Sequence, residues 1–181
     1  MVKTTYHEIS DELFNKFKKI KLIISDVDGV LSDGKIYLTE SGDEIKSFNV
    51  KDGCGIVSIL KQGIEFAVIT GRFSNLLQKR MSGLNVKYVY QGVKDKVDSY
   101  NHLISKLQLT PEETLYIGDD VIDLPILALV GVSVAVHDSH PLLLSEVDLI
   151  TQNPRGSGAV REITDIVLQA HGNLSVKEVS I

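Results

Sequence analysis

The sequence is short of several things, and each shortage removes a class of protein. One cysteine in 181 residues excludes a disulfide scaffold and any structural zinc site made of paired cysteines. No apolar run approaches the roughly 20 residues of a membrane-spanning helix. The stretch from Met1 to Ser10 lacks the apolar centre of a signal peptide. Both absences point to a soluble cytoplasmic protein. Basic charge is scarce too: 19 Lys and Arg stand against 24 Asp and Glu, a net charge of -5. A general nucleic-acid binder needs a basic face, and this balance argues against one. Repeats and low-complexity segments are also missing. What is present is ordinary for a soluble globular chain, with 43% hydrophobic and 24% charged residues. The length suits one domain spanning residues 1–181, and folding at this size buries roughly 70% of the unfolded surface. The excess acid is the feature that asks for a location.

Periodicity locates the elements. Ile9, Leu13 and Phe17 recur every fourth position in Glu8 to Lys19, with Ser10, Asp11 and Glu12 placed as a helix start. Ile20 to Ser25 is a short β-branched run, apolar nearly throughout, which suits a strand buried on both faces of a parallel sheet. Similar runs return at Glu65 to Thr70, Val86 to Tyr90, Thr114 to Ile117, Val132 to Val136 and Val147 to Ile150. Helical stretches lie between or after them, at about Gly53–Gln62, Ser74–Met81, Asp95–Leu107, Ile122–Leu129 and Gly158–Gln169. The alternation predicts an α/β fold of right-handed βαβ units on a parallel sheet. It is broken once, by a β-hairpin over about 35–50 with its turn at Ser41-Gly42-Asp43, directly after the first strand. The last ten residues, 172–181, are expected to form a mobile tail.

In parallel α/β sheets ligands bind beyond the carboxyl ends of the strands. The first strand is followed by Asp26-Val27-Asp28-Gly29-Val30, and the second by Thr70-Gly71-Arg72. Near the third lie Lys94, Asp95 and Lys96, and after the fourth comes Gly118-Asp119-Asp120-Val121-Ile122-Asp123. Asp26, Asp28, Asp119, Asp120 and Asp123 would bring up to five negative charges into one crevice, a cluster that repels itself unless protons or a divalent cation neutralise it. Hard oxygen donors without His or Cys favour Mg2+, which also pairs naturally with phosphate. Lys96 and Arg72 offer positive charge to phosphoryl oxygens, and Thr70 a short hydroxyl donor. An aspartate held against such a phosphate can attack phosphorus while a second carboxylate shuttles a proton.

In order and residue type, these four segments resemble the four motifs of the haloacid dehalogenase superfamily of phosphotransferases. The similarity extends from about Ile20 to Gly172. The segments Asp26 to Gly34, Phe48 to Gly53 and Gly158 to Glu162 resemble its branch of sugar-acid phosphate phosphatases. The resemblance implies a Rossmann-like, doubly wound parallel sheet without a large cap domain. It implies Asp26 as the nucleophile of a phospho-aspartyl intermediate and Asp28 as general acid and then base. Mg2+ would be held by the Asp26 carboxylate, the Asp28 backbone carbonyl and the Asp119 carboxylate. Thr70 and Lys96 would steady the transferring group, and Asp120 and Asp123 would orient the metal's waters and Lys96. Substrate contacts would come from Asp28, Asn49, Lys51, Asp52, Gly53, Gly71, Arg72, Arg80 and Lys96. The hairpin would assemble a homotetramer in which a neighbouring subunit helps close the site. The implied substrate is a phosphorylated eight-carbon keto-sugar acid of lipopolysaccharide precursor synthesis. Two departures stand at positions expected to touch substrate. Lys51 replaces an Arg, and Lys cannot repeat a bidentate grip; the arginine of a Gly-Gly-Arg-Gly-Ala segment sits two places earlier, at Arg155.

Plainer readings stand beside these. Asp120 and Asp123 also suit capping of the next helix, Lys94 is a rival for Lys96, and Arg80 suits the end of a helix dipole. Cys54 reads as a small packed residue, and His137 and His140 as loop residues. Ile36, Tyr37, Ile45 and Phe48 on the hairpin favour a subunit interface over core. A nine-carbon sialic-acid-type phosphate is the rival substrate. A phospho-accepting signalling domain would use similar residues, but its acidic pair precedes a separate phospho-accepting Asp, which is not the order here. An idle scaffold is disfavoured because no catalytic position is missing.

Overall fold

The structure, a computed structural model, describes residues 1–174. The expected tail falls outside the described residues from 175 onward. Residues 172–174 close the last helix: the Asn173 N–H donates to the Leu168 carbonyl at 2.8 Å, and Leu174 packs on the core.

The chain opens with a two-stranded antiparallel pair, β1 (Val2–Lys3) and β2 (Glu8–Ile9), with Val2 opposite Ile9. Helix α1 (Asp11–Phe17) follows; Ser10 caps it by accepting from the Leu13 N–H. The helix starts at the expected Ser10, and Ile9, counted with Leu13 and Phe17 in its periodicity, ends β2 instead. Strand β3 (Leu22–Ser25) is buried at all four positions. Its alternation serves both faces of the sheet: Leu22 and Ile24 enter one core cluster, Ile23 the other.

The hairpin is β4 (Tyr37–Leu38) and β5 (Glu44–Ile45), paired Tyr37 to Ile45. It is shorter than expected because Asn49 ends it: the Asn49 side chain accepts the Lys51 N–H and starts α2 (Val50–Lys61) three residues early. Then come β6 (Glu65–Thr70), α3 (Asn75–Gly83), β7 (Tyr88–Gln91), α4 (Lys96–Leu107) and β8 (Thr114–Gly118). The helix expected over Ile122–Leu129 is a 3-10 turn at Val121–Asp123 running into α5 (Leu124–Leu127). Strand β9 (Val132–Ala135), α6 (Pro141–Leu144), β10 (Leu149–Ile150) and α7 (Ala159–Ala170) complete the described chain.

One six-stranded parallel sheet runs β10-β9-β8-β3-β6-β7. Residues of α1, α2, α3 and α7 contribute to the core on one face, and residues of α4, α5 and α6 to the core on the other. The first strand of the sheet is central, so its neighbours β6 and β8 lead chain segments away in opposite directions. That reversal opens the crevice beside the carboxyl end of β3. Among the described residues no helix is long and apolar enough to cross a membrane.

Candidate active site

Register builds the centre of the site. β3 and β8 are adjacent and parallel, with Ser25 opposite Ile117, so the residues just past each strand meet. The Asp26 N–H donates to the Ile117 carbonyl at 3.0 Å. Carboxylate oxygens of Asp26, Asp119 and Asp123 lie within 4.8 Å of one another. The turn after Asp26 makes room for this: Gly29 has φ +100°, and a Cβ there would stand 2.0 Å from Asp119 Oδ2. Only glycine tolerates both the backbone angle and the contact.

Lys96, the first residue of α4, reaches into the cluster. Its Nζ lies 2.7 Å from Asp123 Oδ1, 3.1 Å from Asp26 Oδ2 and 3.2 Å from the Tyr116 hydroxyl. Tyr116 in turn donates to Asp123 Oδ1 at 2.7 Å. Asp123 Oδ2 accepts the backbone N–H groups of Asp119 and Asp120 at 3.1 and 3.3 Å. Asp123 is therefore consumed in orienting Lys96 and the loop after β8. Lys94 is exposed and takes no part. Asp120 accepts the Val121 N–H at 2.7 Å and forms a capping box with Asp123, which is the helix-capping arrangement.

Crowded, buried carboxylates hold on to protons. Burial pushes Asp26 above the usual carboxylate range, the charge of Asp123 adds to this, and Lys96 opposes it. Asp119 is pushed up to about 7 by burial, then by Asp26 and Asp123, with Arg155 opposing. Burial works against the charge on Lys96, but Asp26 and Asp123 outweigh it and raise that amine. Asp26 Oδ1 is buried without a hydrogen-bond partner among the described residues. An orphaned carboxylate oxygen beside a second, proton-retaining carboxylate, with hard oxygens as the donor set, fits a divalent cation of the magnesium type.

The other expected residues fall into two groups. Asp28 joins the rim. Its Oδ1 accepts from Lys46 Nζ at 2.6 Å and from Ser32 Oγ at 3.4 Å, and its Oδ2 is buried without a partner among the described residues. Thr70 is buried at the end of β6. Gly71 and Arg72 follow it, exposed, and Arg72 Nη2 donates to Glu44 of the hairpin at 2.8 Å. The second group lies around the start of α2. Asn49 Nδ2 donates to the Gly156 carbonyl at 3.2 Å. Arg80 Nη2 donates to the Asn49 carbonyl at 3.4 Å, in space that Gly53 leaves: a Cβ there would lie 2.3 Å from it. Lys51 is exposed. Asp52 is not at the rim. It is 1% exposed, and its Oδ1 accepts the Arg161 N–H at 2.8 Å under the start of α7. Burial pushes it up to about 6, against backbone N–H groups including those of Arg161 and Val160.

Sequence reasoning passed over Lys46 and Tyr116, and noticed Arg155 only as a displaced residue. Arg155 Nη1 lies 3.2 Å from Asp119 Oδ2, and its Nε 2.9 Å from Asp138 Oδ2. The hairpin brings in Lys46 and the loop before α7 brings in Arg155, whereas Tyr116 lies on β8 itself, where its aromatic ring reads as core. His137 is exposed, and His140 Nδ1 accepts the Leu142 N–H at the start of α6; both are loop residues, as expected.

Known proteins carry the same arrangement of chain. The model of the haloacid dehalogenase-like hydrolases matches residues 82–163. The 3-deoxy-D-manno-octulosonate 8-phosphate phosphatase of Yersinia pestis is 46% identical over 173 residues, 96% of this chain and 92% of that protein. A crystal structure of the Yersinia pestis phosphatase matches with a TM-score of 0.94 at 46% identity, over 96% of this chain and 94% of the other. A crystal structure of the corresponding phosphatase from Moraxella catarrhalis, in complex with a magnesium ion, a phosphate ion and a KDO molecule, matches with a TM-score of 0.88 at 37% identity, over 90% and 94% of the two chains. Identity of this level over nearly the full length, on the same fold, settles the family. The chain belongs to the 3-deoxy-D-manno-octulosonate 8-phosphate phosphatases of the haloacid dehalogenase-like hydrolases.

Proposed function

We propose that the chain hydrolyses 3-deoxy-D-manno-octulosonate 8-phosphate to the free keto-sugar acid and inorganic phosphate, a step of lipopolysaccharide synthesis, with Mg2+ as cofactor. The observation that carries this reading is the Asp26 carboxylate, gripped by Lys96 at 3.1 Å and flanked by Asp119, in a chain similar to phosphatases of that substrate over nearly its whole length.

The metal would be held by the carboxylates of Asp26 and Asp119 and the backbone carbonyl of Asp28. When bound it supplies the positive charge that lets a phosphate dianion enter an acidic crevice. The residues do the rest. Asp26 attacks phosphorus, and a bond forms between its carboxylate oxygen and phosphorus as the bond to the sugar oxygen breaks. Asp28 gives its proton to that leaving oxygen. It then takes a proton from the water that attacks phosphorus, breaking the aspartyl bond and returning Asp26 as a carboxylate. Lys96 balances charge on Asp26 and the transferring oxygens, and Asp123 with Tyr116 holds Lys96 in place. Thr70 and Gly71 border the phosphoryl position. Arg72, Asn49, Lys51 and Arg80 would meet the sugar acid beyond it. Asp52 and Gly53 act from below by shaping the start of α2.

The protein would act in the cytoplasm as a homotetramer, and the hairpin supports the assembly. Ile36, Leu38 and Ile45 are 59%, 68% and 57% exposed, an apolar surface that a neighbouring subunit would cover. A phosphate-release screen over eight- and nine-carbon sugar-acid phosphates, with and without Mg2+, tests the reading. Magnesium-dependent release fastest from the eight-carbon compound is expected; faster release from the nine-carbon compound would overturn the substrate, and release without a metal would overturn the cofactor.

A further inference from the structure

We infer that Arg155 is a built-in counter-ion of the acidic cluster that competes with the metal for Asp119, and that Asp138 is the mooring that sets how strongly it competes. The inference rests on the reading of Asp119 as a metal ligand.

The arginine is mounted rigidly. Its loop joins β10 to α7, and Glu162, 0% exposed, pins the start of that loop by accepting the N–H groups of Gln152 and Asn153 at 2.8 and 3.0 Å. The far side is pinned by the Gly156 N–H, which donates to the Val30 carbonyl at 2.9 Å. There the loop lies so close to the first rim segment that a Cβ on Gly156 would stand 2.7 Å from the Asp33 nitrogen. Between these anchors, Asp138 accepts both the Arg155 N–H and its Nε at 2.9 Å, and its carbonyl accepts from Nη2. That leaves Nη1, aimed at Asp119 Oδ2 at 3.2 Å. The planar guanidinium fork lets Nε and Nη2 stay on Asp138 while Nη1 reaches Asp119.

The charge count explains why this matters. Four rim carboxylates, Asp26, Asp28, Asp119 and Asp123, face three cations: Lys96 and Lys46, which are committed to Asp26, Asp123 and Asp28, and Arg155. Among the described residues only the arginine sits on Asp119, and its side chain is part-exposed, on the solvent side of the site. A dication arriving at Asp119 must share that oxygen or displace Nη1, and in either case it meets a like charge. A single positive charge about 5 Å from a dication weakens its binding on the order of tenfold even at the dielectric of water. Asp138 offsets part of this by keeping the guanidinium attached when Asp119 lets go.

The test is calorimetric titration of MgCl2 into the wild-type protein and into the Arg155→Met, Arg155→Gln, Asp138→Asn and Asp119→Asn variants, at one alkaline pH and one ionic strength, with a thermal melt of each. Both Arg155 variants are expected to bind Mg2+ on the order of tenfold more tightly, Asp138→Asn several-fold more weakly, and Asp119→Asn hardly at all. Arg155 variants that bind as the wild type does or more weakly, while Asp119→Asn has lost the metal, would overturn the role of Arg155. An Asp119→Asn variant that binds as well as the wild type would overturn the metal-site reading itself. Two side chains are tried at 155, and the exposed Asp138 provides an independent variant, so a folding failure at one position still leaves a decisive measurement.

Discussion

Magnesium affinity should fall about tenfold between about pH 8 and about pH 6, following the proton on Asp119. Asp119 is pushed up to about 7, first by burial and then by Asp26 and Asp123. A metal needs the carboxylate, so every proton on Asp119 must leave before Mg2+ binds. With a pKa of about 7, Asp119 is about nine-tenths protonated at pH 6 and about one-tenth at pH 8, so the apparent Kd rises about tenfold as the pH falls, equivalent to ~1.4 kcal/mol. The sign follows from the raised pKa: the proton competes below 7 and is gone above it. Asp26 is raised as well, so the loss steepens toward the acid end. Isothermal titration in two buffers of different ionisation enthalpy reads both the Kd and the protons released. At about pH 6 nearly one proton per metal should be released from Asp119, and at about pH 8 nearly none. A Kd constant across this range, with no proton release, would refute the argument that burial keeps these carboxylates protonated.

Four further outcomes are expected. Asp26→Asn should lower phosphate release by more than about a thousandfold with the melting temperature kept, since the nucleophile is lost and the fold is not; turnover near the wild-type rate would remove Asp26 from that role. Lys46→Met leaves Asp28 Oδ1 with only a weak contact to Ser32, and kcat should fall about ten- to a hundredfold, with Lys46→Arg recovering part of it; unchanged kcat would mean Lys46 merely ties the hairpin down. Asp52, raised from 3.8 to about 6, holds its proton in the folded state where the unfolded chain has lost it, so its effect on stability is lost as the pH rises from about 4 to about 6. Relative to Asp52→Asn, the wild type should lose up to ~3 kcal/mol of unfolding free energy across that window, read from urea melts; a pH-independent difference would contradict the burial argument. Sedimentation should give a tetramer that Leu38→Glu or Ile45→Glu breaks apart, and a wild-type monomer would remove the hairpin from that role.

The parts of the site that could be read in the sequence are those the parallel sheet collects by topology alone. Asp26, Thr70, Lys96 and Asp119 each follow or flank a strand end, and parallel neighbours send all such ends to one side. Their meeting therefore follows from strand identity and needs no knowledge of loop paths. The rest depends on contacts that no local pattern encodes. Lys46 reaches Asp28 only because the hairpin folds back over the rim, and its neighbours in sequence, Ile45 and Ser47, read as an ordinary edge strand. The short pair of β1 and β2 was invisible for the same reason: its two-residue strands are too brief for periodicity, and side chains on α7 far along the chain hold its connecting segment, Tyr6 through Asp165 and His7 through Glu162. Asp52 shows the opposite failure. Its motif is intact, but the side chain turns under α7, because the N–H groups at the start of that helix are the nearest donors for a buried carboxylate.

The net charge of -5 can now be divided. At the rim, four carboxylates together with Asp138, the second partner of Arg155, are opposed by Lys46, Lys96 and Arg155, so the crevice carries about two formal negative charges and not the four or five that the motifs alone suggest. A phosphate monoester would bring up to two more, and no cation is left uncommitted among these residues to meet them. A bound dication cancels that charge, enough to admit the dianion without holding it as tightly as a fully basic pocket would hold the phosphate it must release. On this reading the three fixed cations are matched first to the aspartates, and the metal converts the crevice from repelling phosphate to receiving it. Removing the metal should therefore weaken the binding of inorganic phosphate as well as abolish turnover. Phosphate affinity that is equal with and without Mg2+ would show that Lys96 and Arg155 serve the substrate directly.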